Sequence, residues 1–168
     1  EMICRALYDG YVYVLQGGFT VDFLRRLRND TIQFMRSQPS SFHKMLEGSP
    51  DFHRMISLED GLKYAFPCCK HSAYFYRWNS DPLNILPTIT ARWSVVKILM
   101  GLAADEFEQN TPKDGVVDRV QVVRYPPKIG FLATHADPYL HQRLFLSGIM
   151  SKRGVNYVGG GFYMIGEN

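Results

Sequence analysis

From Asp118 to Gly166 the chain alternates short β-prone runs with tight punctuation: DRVQVVRYPPKIGFLATHADPYLHQRLFLSGIMSKRGVNYVGGGFYMIG. Val120 to Tyr125 is β-rich, Pro126 and Pro127 stop it, and Gly130 shapes the loop that follows. At the centre stand His135 and Asp137, separated by the small residue Ala136. In an extended segment residues i and i+2 point to the same face. An imidazole and a carboxylate are therefore presented side by side, with Ala136 turned away. Two such ligands plus one more histidine make the facial triad that holds non-haem Fe(II) with open coordination positions. An isolated His-x-Asp arises by chance in many chains, so the flanking residues carry the weight.

The chain has 168 residues, enough for one domain with a sizeable core. Its hydrophobic share of 46% and its scattered charges, net +3, describe a globular protein with no basic stripe for nucleic acid. There is no apolar run of about 18 residues, so no membrane span is expected. The first fifteen residues lack the basic start and clean apolar stretch of a signal peptide. Three cysteines, Cys4, Cys68 and Cys69, make a poor disulfide framework and point to a reducing cytoplasm. Cys68-Cys69-Lys70-His71 has no second knuckle to complete a zinc site, and buried thiols are the simpler reading.

Read in order, Tyr8 to Leu15 is strand-like, and Gly17-Gly18 breaks it. Thr20 then caps a helix reaching about Ser37, with Val21, Leu24, Leu27, Thr31 and Met35 on its apolar stripe. Pro39 to Ser57, with His43, His53 and Arg54, reads as loop: a solvated connector or a source of substrate contacts. Ser57 and Asp60 resemble a capping box that opens a short helix. Ala73 to Asn79 is an aromatic strand that either lines a pocket or fills the core. Pro87 opens a second long helix with Ile89, Trp93, Val96, Met100 and Ala103 buried and Arg92 and Lys97 off the stripe. Turns follow at Thr111-Pro112 and Asp114-Gly115. No repeat or linker divides the chain. The expectation is one α+β domain, helix-rich over residues 1–115 and β-rich over 116–168.

The segment from Tyr125-Pro126-Pro127 through His135-Ala136-Asp137-Pro138 to Gly159-Gly160-Gly161 resembles the Fe(II)/2-oxoglutarate dioxygenases. The resemblance covers the last third of the chain in detail and the first third in outline. It implies a double-stranded β-helix, a cupin-like jelly roll, buttressed by the two long helices. It implies Fe(II) held by His135 and Asp137, with 2-oxoglutarate as cosubstrate and O2 as oxidant. Decarboxylation of 2-oxoglutarate to succinate would be coupled to hydroxylation, or a related C–H oxidation, of a small-molecule or amino-acid-like substrate. Tyr125 matches the tyrosine whose hydroxyl binds a 2-oxoglutarate carboxylate. Gln121 shares the Tyr125 face by strand alternation and is a second candidate contact, while Arg124 points to the opposite face. Retention of Asp137 argues against halogenation, since halogenating relatives carry a small residue there.

The family's distal histidine and the basic residue that grips the far carboxylate have no match before Asn168. His141 sits too close to Asp137, and His43, His53 and His71 precede the core. The resemblance therefore implies either a chain that continues past Asn168 or a degenerate site. The alternative from another class is a cupin-like binding module without redox activity. No nucleic acid or membrane partner is expected, and the sequence leaves the oligomeric state open.

Overall fold

The structure is a computed structural model that describes residues 1–37, 52–63, 66–78, 80–137 and 146–165. The chain divides into two compact units: Glu1–Arg28 with Ser147–Asn168, and Asn29–Leu146. Among the described residues no helix is long and apolar enough to cross a membrane.

The first unit opens with helix α1, Met2–Tyr8. Met, Arg, Ala and Leu are good helix formers, and Gly10, at φ +83°, follows the helix end. Of Tyr8 to Leu15, expected as a strand, Tyr8 closes α1 and Tyr11 to Leu15 has no regular structure, with Tyr11 and Val14 exposed. Alternation gives a strand its faces but not its partner, and among the described residues no strand pairs with this run. Helix α2, Val21–Ser37, begins as expected: the Thr20 hydroxyl accepts the Phe23 amide at 3.2 Å. Asp22 in the first turn pairs with Arg25 at 2.9 Å. Leu27, Thr31 and Met35 are buried along the stripe. Val21 is exposed, because the first residue of the helix lies beyond the face that packs.

The second unit is built around an antiparallel sheet. Strand β1, Phe52–Ile56, forms where the sequence reads as loop. His43 lies outside the described residues. Ser57 caps helix α3, Leu58–Gly61: its hydroxyl accepts the Asp60 amide at 3.1 Å, as expected, and donates to the Asp60 carboxylate at 2.8 Å, where the full capping box has the carboxylate accept the backbone N–H. Strand β2, Cys68–Tyr76, is the axis of the sheet. It pairs with β1 through Phe52↔Tyr74 to Ile56↔Lys70. Strand β3, Arg119–Arg124, pairs with β2 from Tyr76↔Arg119 to His71↔Arg124. Strand β4, Phe131–Leu132, pairs with the start of β2 through Cys69 and Cys68. This central strand comes from a stretch read as helix-rich support.

β2 is buried from Ser72 to Tyr76. Successive side chains take opposite faces. Phe75 meets Phe34 of α2 at a ring separation of 5.8 Å. Tyr76 stacks on Trp78 at 4.6 Å, with Tyr74 and Val117 in the same cluster. Burying Phe75 alone contributes about 1.5–3 kcal/mol. The aromatic run thus fills the core. Cys68 and Cys69 are buried free thiols. A Cβ at Gly61 would overlap the Cys68 carbonyl, so this close approach of α3 to β2 requires glycine.

Helix α4, Leu86–Leu99, carries Pro87 in its first turn. The Asp81 carboxylate accepts the amides of Ile85 at 3.0 Å and Leu86 at 2.8 Å, satisfying donors the helix leaves open. Lys97 corrects the sequence reading. It is 1% exposed, and its ammonium donates to Asp118 Oδ2 at 2.6 Å. Trp93, one turn earlier, donates to Asp118 Oδ1 at 3.1 Å. Periodicity alone puts a charged residue outside, and the partner that brings Lys97 in lies just before β3. Ala103 falls beyond the helix end and is exposed. A short 3-10 helix, Pro112–Asp114, follows, with Thr111 and Asp114 closing a capping box.

Asp118→Ala is expected to lower unfolding stability by about 3–5 kcal/mol, because it leaves the buried Lys97 charge uncompensated. Lys97→Met should cost less, since it removes the charge from the interior and leaves Asp118 bonded to Trp93. Urea denaturation measures both. A wild-type midpoint for Asp118→Ala would mean that Lys97 draws its stability from elsewhere.

Candidate functional site

β3 ends at Arg124, opposite His71. Pro126 and Pro127 have no N–H to continue a ladder, and the chain turns. The Gly130 amide donates to the Pro126 carbonyl at 2.8 Å. A Cβ at Gly130 would lie 2.6 Å from both the nitrogen and the carbonyl oxygen of Pro126, so the turn closes only on glycine. β4 then resumes pairing on β2. The Ala133 amide donates to the Pro67 carbonyl at 2.9 Å and carries the pairing past the strand end. This places His135 against Phe66, the rings 4.2 Å apart and inclined by 15°.

His135 Nδ1 lies 2.8 Å from the Ala133 carbonyl oxygen. A carbonyl can only accept, so Nδ1 carries the hydrogen. In the neutral ring Nε2 then keeps its lone pair. Nε2 is 3.8 Å from Asp137 Oδ1, with the two side chains 22% and 39% exposed. That distance is too long for a hydrogen bond, and a lone pair beside a carboxylate is not attractive by itself. A cation between the two groups would be attracted to both. Two donors each about 2.1 Å from one metal, at right angles, sit about 3 Å apart. At 3.8 Å, Nε2 and Oδ1 stand wider than that. The two groups could supply ligands to a metal only after the carboxylate reorients, while the backbone carbonyl already fixes the tautomer as ligating histidines require. Among the described residues no group of three His, Cys, Asp or Glu side chains surrounds a common point. His43 and His141 lie outside those residues.

Tyr125 is half-exposed just past β3. Partial burial, and secondarily the charge of a Cys68 thiolate, push its hydroxyl above the ordinary phenol range. At neutral pH it is a hydrogen-bond donor. Cys68 is also the partner of Leu132, so Tyr125 lies at the end of β2 from which the His135 segment emerges. Gln121 lies elsewhere. It stands opposite Tyr74, and its amide donates to the Tyr74 hydroxyl at 3.1 Å and the Ser72 hydroxyl at 3.3 Å. Tyr74 and Cys68 are six strand residues apart, about 20 Å at about 3.3 Å per residue. The structure therefore brings Tyr125, but not Gln121, to the His135 end of the sheet. Sequence reasoning missed Phe66 and the Ala133 carbonyl. The carbonyl is a local partner two residues back in the chain, whereas nothing near Phe66 in the chain signals a distant histidine.

Comparison with protein-family models, curated proteins and solved structures finds no significant match.

Gly130→Ala should destabilise the protein by about 1–3 kcal/mol, the range for forcing extra atoms into a closed site. Urea unfolding reads the loss, and an unchanged midpoint would show that the Tyr125–Gly130 turn opens without cost.

Proposed function

We propose that His135 and Asp137 are ligands of a non-haem Fe(II) site and that the protein acts as a 2-oxoglutarate-dependent hydroxylase on a small-molecule or amino-acid-like substrate. β2, β3 and β4 would belong to a double-stranded β-helix. The observation that carries this reading is the His135–Asp137 pair: Nδ1–H is committed to a backbone carbonyl, and Nε2 and Oδ1 face each other at 3.8 Å. That arrangement favours a cation. His135 Nε2 and Asp137 Oδ1 would hold the iron. When bound, the iron would supply the redox chemistry by which O2 and 2-oxoglutarate yield succinate and carbon dioxide while a substrate C–H becomes C–OH. The protein's part is to orient and shield these groups.

Tyr125 would donate its hydroxyl to a carboxylate of 2-oxoglutarate. Its partial burial supports that role, because a neutral phenol binds an anion and a phenolate repels one. Asp137 keeps a carboxylate where a halide would need an open position, so hydroxylation or a related oxidation is favoured over halogenation. Three free thiols suit a reducing cytoplasm.

Two sets of measurements test this. His135→Ala and Asp137→Ala should each abolish succinate formation and weaken anaerobic Fe(II) binding by at least an order of magnitude, while His141→Ala should change either only mildly. Wild-type turnover in either alanine variant at 135 or 137 removes the assignment. Fe(II) and 2-oxoglutarate binding without turnover would instead support a cupin-like binding module.

Tyr125→Phe removes one charge-assisted hydrogen bond, worth about 1.5–3 kcal/mol. The KM for 2-oxoglutarate should rise about ten- to hundred-fold, and that for the substrate much less. The same bond sets a pH dependence. Because the hydroxyl ionises above its ordinary value, 2-oxoglutarate affinity should hold to about pH 10 and fall only above it. A fall that begins below that pH, or an unchanged KM in Tyr125→Phe, would make Tyr125 a packing residue.

A further inference from the structure

We propose that Phe66 is a positioning residue for His135, setting the plane of the imidazole so that Nε2 is presented to Asp137. The proposal rests on the reading of His135 and Asp137 as metal ligands. An imidazole turns about two side-chain torsions, and the second of these is broad. The Nδ1–H bond to the Ala133 carbonyl pins one edge of the ring but leaves it free to rock about that bond. Phe66 removes the remaining freedom: at 4.2 Å and 15° the two rings lie face to face. One contact fixes a point and the other fixes a plane, and together they define one direction for Nε2.

The stacking partner is itself held by backbone. Pro67, the next residue, accepts the Ala133 amide at 2.9 Å, so the segments bearing the two rings are tied directly to each other. The Phe66 side chain is a hydrocarbon and offers a metal no ligand atom. Its influence on a metal passes through His135, as that of an outer-shell partner does, and losing such partners costs about 10–100-fold in metal affinity.

The test uses the whole 168-residue chain with Phe66→Leu, which keeps an apolar side chain without a flat face, and Phe66→Trp, which restores one. His135→Ala serves as reference. Anaerobic Co(II) titration gives affinity. Relaxation of the His135 ring carbons in the metal-free protein reads how far the imidazole rocks, the motion that the Nδ1–H bond leaves free. Phe66→Leu should bind Co(II) about ten-fold more weakly and show a more mobile His135 ring, and Phe66→Trp should recover both. Wild-type affinity or unchanged ring mobility in Phe66→Leu, or a Trp variant no better than Leu, overturns the proposal. Wild-type Co(II) affinity in His135→Ala would instead remove the metal reading itself, and ring mobility alone would then decide whether Phe66 orients the ring.

Discussion

The second unit depends on a buried charge that has found its partner. Lys97 carries an ammonium into the interior, where desolvation costs several kcal/mol. The Asp118 carboxylate repays that cost at 2.6 Å while also accepting the Trp93 indole N–H. The three residues join one face of α4 to the residue just before β3. A second tie, Arg77 to Glu108 at 3.1 Å with Arg77 also donating to Thr90, anchors the first turns of the same helix. β3 is therefore delivered to β2 from a fixed origin, and its register follows.

From that origin the site is a matter of strand geometry. β3 runs along β2 until Pro126 and Pro127 withdraw the amides it needs. Gly130 closes the turn against Pro126 itself. The chain re-enters the sheet at Cys69 and Cys68 and overshoots the strand end by one further hydrogen bond, Ala133 to Pro67. His135 thereby meets Phe66. The separation of Gln121 from this end has the same origin, since a residue paired with Tyr74 cannot also be beside Cys68.

The local electrostatics are economical. Both ends of the His135 ring are assigned by one hydrogen bond, because a carbonyl admits only a donor. The other ring nitrogen, Nε2, lies 3.8 Å from Asp137 Oδ1. Tyr125 adds a neutral donor at the same end, its hydroxyl pushed above the ordinary phenol range chiefly by partial burial.

The sequence by itself determined what local rules determine. The α2 cap and its Leu27–Thr31–Met35 stripe, the Ser57–Asp60 exchange, the Pro87 start of α4 and the strand character of 73–76 and 120–124 all follow from residues within a few positions of one another. So does the closeness of His135 to Asp137, two positions apart in the chain. Tertiary structure decided whatever needed a distant partner. Tyr11 to Leu15 has strand composition without a ladder, while Phe52 to Ile56 looks like loop and becomes an edge of β2. Lys97 reads as a surface residue and is buried by Asp118. Gln121 shares a strand face with Tyr125 by alternation, yet its register sends it to Tyr74. Periodicity fixes which way a side chain points; only long-range pairing decides what it meets there.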